Sequence, residues 1–286
     1  MELLSPAGNM ERLETAFYYG ADAVYLAGRS FGLRAFADNF DAQGLETAIS
    51  RAHSLGKKAY IASNIFMREG DIAPFKEYLN FLAQIKADGI IIADLGGARL
   101  AKTLCPELPL HISTQFNAMN HLTALTLRDL GASRIILARE LSLDEIKRIR
   151  DNIPDSLELE CFVHGAMCMA YSGRCLLSSF LTGRQANRGE CAQPCRWEYY
   201  LMEKQRPGEY MPITEDARGT YILNSRDLCM IEHLSQLSSA GINSIKIEGR
   251  MKTAYYTAVV TNAYRRALNL MEQGKPFEPA LKEELL

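Results

Sequence analysis

Four cysteines whose spacing suits metal binding lie close together in the second half of the chain: Cys168, Cys175, Cys191 and Cys195. Six residues separate the first pair, fifteen the middle pair and three the last pair. Four thiolates can hold a tetrahedral zinc ion or an iron–sulfur cluster. Structural zinc sites usually use two tight pairs of ligands, whereas only the last pair is tight here. The spacing therefore favours an iron–sulfur cluster and leaves zinc, or no metal, as alternatives.

The composition limits what this cysteine cluster can do. The chain has 286 residues, 48% of them hydrophobic, and can bury a large core. Its formal net charge of −2 gives no overall attraction to nucleic acid, which would need a local basic patch. No stretch reaches the roughly 18 apolar residues of a membrane span. We therefore expect a cytoplasmic protein with no membrane partner, in which clustered cysteines bind metal or react rather than form disulfides.

Short apolar segments alternate with longer segments of helical periodicity along the chain. We predict strands at residues 2–4, 22–26, 58–62, 89–93, 110–113, 134–137, 157–163 and 244–247. Ser142 and Glu145 form a capping box that predicts the start of a helix. Eight strands separated by helices over about 250 residues predict a TIM-like (β/α)8 barrel. An open doubly wound sheet is the alternative that the same alternation permits.

One connection is much longer than the others. Residues 165–243 lie between the seventh and eighth predicted strands and contain the cysteine cluster. Within this insertion we predict a small antiparallel pair formed by residues 197–202 and 221–223. Because the insertion leaves the carboxyl end of a strand, we expect it to cover the barrel mouth, where barrel enzymes hold their catalytic groups. The barrel domain then spans residues 1–272, and residues 273–286 form a C-terminal tail.

Polar residues at the ends of predicted strands are the candidates for catalysis. Glu248 and Arg250 follow the eighth strand, Gln115 follows the fifth, and His164 ends the seventh. An arginine in this position can clamp a carboxylate through two parallel hydrogen bonds. His164 can act as a general acid or base, or only as a hydrogen-bond donor beside the cluster. Glu248 is equally well explained as a structural partner of Arg250 or Lys246.

The cysteine-rich stretch resembles the signature of peptidase family U32, the collagenase-like proteins. The resemblance rests on residues 160–168 (ECFVHGAMC) and 173–178 (GRCLLS). Residues 2–8, 20–25 and 245–250 are also similar to that family, so the likeness covers nearly the whole chain. The family includes RNA hydroxylation proteins and accessory proteins of oxygen-independent ubiquinone hydroxylation, several of which carry four-cysteine iron–sulfur clusters.

The resemblance is closest to the branch that makes 5-hydroxyuridine at the wobble position of tRNA in a prephenate-dependent way. It implies tRNA as a partner, prephenate as a small dicarboxylate co-substrate, and an electron donor. It also implies a 4Fe–4S cluster held by Cys168, Cys175, Cys191 and Cys195. Hydroxylation of a cytidine in ribosomal RNA is the alternative within the family. Fuller members of the branch continue into a further C-terminal domain, of which residues 273–286 would be the start.

Basic and aromatic residues accompany the cysteines in the insertion. Arg184, Arg188 and Arg196 can contact phosphates, and Trp197 can stack on an unpaired base, as recognition of single-stranded RNA requires. The simpler interpretation is a solvated surface with half-buried aromatic side chains. These four residues are therefore candidates for RNA binding.

Two other classes of protein remain open. A collagenase-like peptidase or other thiol hydrolase would use Cys168 as nucleophile and His164 as base, which leaves three cysteines unexplained. A zinc-stabilised RNA-binding module would use the four cysteines without catalysis. The radical S-adenosylmethionine signature, three cysteines separated by three and then two residues, is absent from the sequence.

Overall fold

Within the residues that the structure describes, eight parallel strands close into a barrel. The structure is a computed structural model that describes residues 1–33, 39–168, 170–197, 200–202, 204–212, 215–216, 219–220 and 227–285. The barrel strands are β1 (Glu2–Pro6), β2 (Ala23–Leu26), β3 (Lys58–Ser63), β4 (Gly89–Ile92), β5 (Leu110–Ile112), β6 (Ala132–Ile136), β7 (Glu158–Gly165) and the eighth barrel strand (Ser244–Ile247). The eighth strand pairs with both β7 and β1, which closes the sheet. The predicted TIM-like barrel is confirmed, and the open doubly wound sheet is wrong.

Most of the helices alternate with these strands and surround the barrel. The helices are α1 (Met10–Tyr18), α2 (Ala42–Ser54), α3 (Ile72–Gln84), α4 (Leu95–Leu104), α5 (His121–Asp129), α6 (Leu143–Arg150), α7 (Leu177–Thr182), α8 (Leu234–Ser239), α9 (Ala254–Glu272) and α10 (Ala280–Glu283). Helix α7 lies in the long connection after β7, and α10 follows α9. Asn9 caps α1 by accepting the N–H of Arg12 at 3.0 Å. The predicted capping box is present at α6, where Ser142 and Glu145 bind each other's backbone N–H groups. Side-chain capping therefore sets helix starts that are visible in the sequence.

Helix α10 lies within the residues predicted to be a tail. Leu281 is fully buried in the core that surrounds the barrel. Arg266 of α9 donates to Glu284 at 2.9 Å. The described part of residues 273–286 therefore packs against the barrel rather than extending away from it.

Apolar side chains form two separate layers. The larger layer lies between the strands and the helices. The smaller layer fills part of the barrel interior and consists of Leu4, Ala23, Tyr25, Tyr60, Ile91 and Ile136, with Phe162 packed against it. Successive strand residues face opposite sides of a sheet, so the strands that supply the smaller layer also contribute to the larger one.

A buried network of charged side chains lies in the barrel interior beside this small apolar layer. Arg134 of β6 pairs with Glu2 at 2.6 Å, with Glu158 at 2.6 Å and with Glu160 at 3.1 Å. Lys246 of the eighth strand pairs with Glu160 at 3.0 Å. Burial opposes ionisation of Glu2, but the charge and hydrogen bonds of Arg134 outweigh it and lower the pKa of Glu2. The network therefore joins β1, β6, β7 and the eighth strand through paired charges.

Residues 166–243 connect β7 to the eighth strand. Leu228–Cys229 form a short strand that pairs antiparallel with the end of β7. This pairing extends the barrel sheet at the point where the long connection returns.

A second short antiparallel pair in the connection joins Tyr200–Leu201 to Met211–Pro212. Residues 200–201 belong to the first segment of the predicted pair, 197–202 with 221–223. Residues 221–223 lie outside the described residues. In the described ranges, no helix is long and apolar enough to cross a membrane.

Replacing Arg134 with methionine is expected to lower the free energy of unfolding by about 3–5 kcal/mol, because buried carboxylates would lose their partner. Urea denaturation followed by circular dichroism measures this loss. Arg128→Met is the matched control, since Arg128 pairs with Asp129 on the surface and its loss should cost less than about 1 kcal/mol. Similar small effects of the two substitutions would contradict a stabilising role for the buried network.

Candidate functional site

A cavity of about 150 Å³ lies at the carboxyl ends of the barrel strands. Its floor comes from side chains of the barrel interior: Tyr25, Ile91, Ile136, Phe162 and Lys246. Its wall includes residues at or after strand ends: Asn64, Ser113, Gln115, Arg139, Glu248 and Arg250. Its roof comes from the cysteine segment, which we define as residues 166–197, through Cys168, Ser172, Gly173, Cys175, Ala186 and Cys191. Barrel enzymes place their active sites at this end, so the cavity is the candidate site.

Gln115 lies in the cavity wall and is only 3% exposed. It belongs to a short turn that directly follows β5. Its Oε1 atom accepts hydrogen bonds from Nδ2 of Asn64 at 2.7 Å and from the hydroxyl of Ser113 at 3.1 Å. Gly173 of the roof has a φ of +78°, and a Cβ added there would come within 3.3 Å of the Gln115 side chain. The roof therefore approaches Gln115 closely because a glycine stands at the contact.

Glu248 and Arg250 also lie in the cavity wall, as residues that follow the eighth strand. The Oε2 atom of Glu248 is 3.3 Å from Nη2 of Arg139. Lys246, considered as a partner of Glu248, pairs with Glu160 at 3.0 Å, and the charge of Glu248 also favours the protonated form of Lys246. The structure thus brings an acid and two arginines together in one wall.

Arg139 is a site residue that sequence reasoning missed. It follows β6 by three residues, and its guanidinium lies 4.0 Å from the centre of the Phe162 ring. Its Nη1 atom donates to the backbone carbonyl of Ala166 at 3.0 Å. The rule that identified Glu248 and Gln115, a polar residue just after a strand, also applies to Arg139. The signal was therefore present in the sequence.

His164 is directed away from the cavity, toward helix α9. Its Nδ1 atom is 3.5 Å from the hydroxyl of Tyr264, and the two rings meet edge to face. Regular alternation would put His164 on the interior face with Glu160 and Phe162, but the pairing register of β7 shifts near the carboxyl end of the eighth strand. Burial lowers the pKa of His164 to about 4, so the ring is neutral at neutral pH. The expectation that His164 faces the barrel mouth is corrected by this geometry.

Three of the four predicted metal ligands line the roof of the cavity: Cys168, Cys175 and Cys191. Burial raises the pKa of the fourth cysteine, Cys195, and the other three thiols raise it further. Cys195 therefore lies near the other three cysteines. Backbone N–H groups face two of the sulfurs, from Leu177 to Cys175 at 3.5 Å and from Gln193 to Cys191 at 3.4 Å. Such hydrogen bonds are typical of metal-bound thiolates.

The four cysteine thiols are chemically suited to bind an iron–sulfur cluster or a zinc ion. Across the part of the chain that the structure describes, however, no three histidine, cysteine, aspartate or glutamate side chains are close enough to hold a metal ion together. The assignment of the four cysteines as ligands therefore stays a prediction. It is supported by their shared position and by the N–H groups that face them.

Two arginines predicted to bind RNA form ion pairs that hold the cysteine segment against the rest of the protein. Arg188 pairs with Asp71 at 2.6 Å and donates to the carbonyl of Phe66 at 3.2 Å. Arg196 pairs with Asp227 at 3.2 Å. Both side chains are roughly three-quarters buried, at 28% and 26% exposure. The protein itself thus engages both guanidinium groups, and contact of Arg188 or Arg196 with RNA stays a prediction.

Trp197 and Arg184 are placed differently. The side chain of Trp197 is 46% exposed, whereas Arg184 is half-buried at the end of α7. Other exposed apolar side chains of this region are Tyr171, Leu176, Phe180, Leu181 and Tyr200. Exposed aromatic rings are what base stacking requires. Contact of Trp197 or Arg184 with RNA stays a prediction.

The fold and the site define a class of protein: a TIM-like barrel whose mouth cavity is covered by a segment with four cysteines. The sequence profile of peptidase family U32 matches residues 8–286, and the chain belongs to this family. It is 41% identical to tRNA hydroxylation protein P of Escherichia coli (strain K12), over 99% of this chain and 71% of that protein. It is 36% identical to the 23S rRNA 5-hydroxycytidine C2501 synthase of the same organism, over 94% of this chain and 39% of that protein.

Solved structures support the barrel fold. The U32 peptidase Mk0906 has a TM-score of 0.58 to this structure at 15% identity, covering 88% of this chain and 94% of that chain. A thiamine phosphate pyrophosphorylase from Pyrococcus furiosus has a TM-score of 0.51 at 10% identity, covering 94% and 95%. At these identities the similarity concerns the fold alone.

The stability of the protein is expected to fall as the pH drops through the range in which His164 titrates. The pKa of His164 is about 4 in the folded protein against an ordinary value of 6.5. Because the pKa of His164 is lower in the folded protein, the unfolded chain binds more protons at any pH between about 4 and 6.5. The free energy of unfolding therefore decreases as the pH falls from 6.5 to about 4. The loss is on the order of 2 kcal/mol.

Urea denaturation at about pH 7 and about pH 5 measures this effect. The substitution His164→Gln should reduce the difference between the two conditions. The wild-type protein, measured under the same two conditions, is the reference. An unchanged difference in His164→Gln would show that the buried ring is not responsible.

Proposed function

We propose that this protein is an RNA hydroxylation enzyme that acts on tRNA and produces 5-hydroxyuridine at the wobble position. The observation that carries the proposal is the 41% identity to tRNA hydroxylation protein P of Escherichia coli over 99% of this chain. A second observation supports it, because the cysteines of the family signature line the cavity at the barrel mouth. A tRNA substrate implies the cytoplasmic location that the sequence predicts.

The four cysteines Cys168, Cys175, Cys191 and Cys195 would hold a 4Fe–4S cluster at the roof of the cavity. Their thiol chemistry and the N–H groups that face Cys175 and Cys191 support this assignment. Four thiolates leave no iron with an open protein-ligand position, so the bound cluster would supply electron transfer, from a separate electron donor, or organise the segment. The cysteine segment would thereby place the metal centre beside the candidate substrate cavity.

The co-substrate in this proposal is a small dicarboxylate, prephenate. Among the described residues that line the cavity, Arg139, Lys246 and Arg250 are cationic and only Glu248 is acidic. This excess of positive charge favours an anion, and burial strengthens the attraction because water is excluded. Arg250 is 4% exposed and would bind one carboxylate.

The remaining residues of the wall and roof have roles that follow from their contacts. Glu248 lies against Arg139 at 3.3 Å and would take up or release a proton at its Oε atoms. Gly173 packs on Gln115 and closes the cavity from above. The chain's own residues would therefore bind the anion, exclude water and offer one carboxylate for proton transfer.

Hydroxylation of a cytidine in ribosomal RNA is the second candidate function. It is favoured by the 36% identity to the 23S rRNA 5-hydroxycytidine C2501 synthase. A thiol hydrolase is disfavoured, because His164 faces Tyr264 of α9 rather than the cavity that Cys168 lines. A zinc-stabilised RNA-binding module would use the same four cysteines and is distinguished by metal content.

Anaerobically purified protein is expected to absorb visible light and to contain about four iron and four sulfide ions per chain. Serine at any of the four cysteines should remove most of the iron and the absorbance. Cys105→Ser, which changes a buried cysteine outside the segment, is the control and should retain both. A colourless preparation loaded with zinc would contradict the iron–sulfur assignment and favour the zinc-stabilised module.

Deletion of the gene is expected to remove 5-hydroxyuridine from tRNA, because this protein would be the enzyme that hydroxylates the wobble uridine. Mass spectrometry of digested tRNA and ribosomal RNA from deletion and complemented strains measures the change. Complementation with Glu248→Gln should restore less than about a tenth of the modification if Glu248 handles a proton. Loss of 5-hydroxycytidine from ribosomal RNA would select the second candidate, and unchanged tRNA and ribosomal RNA would refute both.

A further inference from the structure

We propose that Gln115 and Arg139 form a carboxylate-binding subsite in the cavity, with Nε2 of Gln115 and Nε of Arg139 as the two donors. The inference rests on the proposed function for the identity of the ligand, a small dicarboxylate. It assigns the ligand's carboxylate to particular atoms of the wall. The proposed subsite gives Arg139 a role in selecting a ligand that carries a carboxylate.

The orientation of the Gln115 amide is fixed by its neighbours. The backbone N–H of Leu33 donates to Oδ1 of Asn64 at 3.1 Å, so the other end of Asn64 is its N–H2 group. That group lies 2.7 Å from Gln115 and requires an acceptor, which identifies the facing atom as Oε1. The Nε2 atom is then the buried end of Gln115, and no acceptor from the described residues lies within hydrogen-bonding distance of it.

Arg139 is held in place by three contacts that leave its Nε atom unused. Nη1 donates to the carbonyl of Ala166, Nη2 lies against Glu248, and the guanidinium stacks on Phe162. The side chain is 6% exposed. The buried Nε–H has no acceptor among the residues of the described ranges. Because the other two nitrogens are occupied, rotation of the guanidinium would break contacts that already exist.

The two donors stand on neighbouring loops. Gln115 follows β5 and Arg139 follows β6, which are adjacent parallel strands. The loops are joined by hydrogen bonds from the hydroxyl of Thr114 to Leu137 at 2.9 Å and from the N–H of Ala138 to Ala118 at 3.2 Å. Leaving a buried N–H without an acceptor is unfavourable, and the two side chains that carry these N–H groups both line one cavity.

A carboxylate matches this arrangement because it offers two acceptor oxygens and a negative charge. Lys246 in the cavity floor adds a cation below the two donors. Glu248 already neutralises part of the charge of Arg139, so the Nε–H serves mainly as a directional donor. The subsite is therefore expected to distinguish a carboxylate from a neutral group of similar size.

Isothermal titration calorimetry of the anaerobically purified protein with prephenate tests the subsite. Gln115→Met keeps the length of the side chain and removes Nε2, while Arg139→Lys keeps the positive charge and removes the N–H at Nε. Each substitution is expected to weaken binding about tenfold or more. The double variant should lose less than the product of the two effects, because both donors hold the same carboxylate. Arg128→Lys, on the surface of α5, is the control and should bind as the wild type does.

Wild-type affinity in either folded variant would overturn the inference, as would a wild-type protein that does not bind prephenate. If one variant fails to fold, which its thermal unfolding shows, the other decides. The proposed function is tested separately by the modified nucleosides. Loss of tRNA hydroxylation on gene deletion, with normal binding in both variants, would overturn the subsite alone. Unchanged RNA with weakened binding in the variants would refute the proposed function and support the subsite.

Discussion

The pairing of charges inside the barrel is the constraint on which the rest of the structure depends. A charged side chain is tolerated in such an interior only when it is paired, and Arg134 and Lys246 both pair with the fully buried Glu160. Lys246 also contributes to the floor of the cavity, with Nζ 4.4 Å from the centre of the Tyr25 ring. Burial lowers the pKa of Lys246, and the charge of Glu160 opposes this effect. The same network that joins the strands thus supplies a cation to the site above it.

The cysteine segment completes the site from the other side. It is held by Arg188 to Asp71, beside the start of α3, and by Arg196 to Asp227, close to the short strand that pairs with β7. Three of the thiols of this segment, Cys168, Cys175 and Cys191, line the cavity. A change in these thiols and a ligand in the cavity would therefore act on the same small volume.

The sequence was sufficient to predict the barrel, because apolar strand segments and helix caps such as Ser142 are local signals. It was also sufficient to locate Gln115, Glu248 and Arg250 at the cavity, since polar residues after parallel strands meet at one edge of the sheet. Arg139 satisfies the same rule, although the sequence pattern did not single it out. The roles proposed for these four residues rest on their contacts across the cavity, which no local pattern in the sequence shows.

Other features depend on long-range geometry. His164 faces α9 because the register of β7 shifts, and such an irregularity leaves no mark on the alternation of residue types. Arg188 finds its partner 117 residues away in sequence, so a basic residue that looks solvated is in fact an anchor. The four cysteines were conspicuous by spacing, and their insertion was expected to cover the barrel mouth. Which of them line the cavity, namely Cys168, Cys175 and Cys191, followed only from the fold.

Visible circular dichroism of the anaerobic protein during titration with prephenate shows whether the proposed thiol-bound centre and the cavity form one site. The signal of the proposed iron–sulfur centre is expected to change as prephenate saturates the protein, because the ligand would occupy a cavity that Cys168, Cys175 and Cys191 line. A spectrum that stays unchanged while calorimetry shows the ligand to be bound would contradict a single shared site.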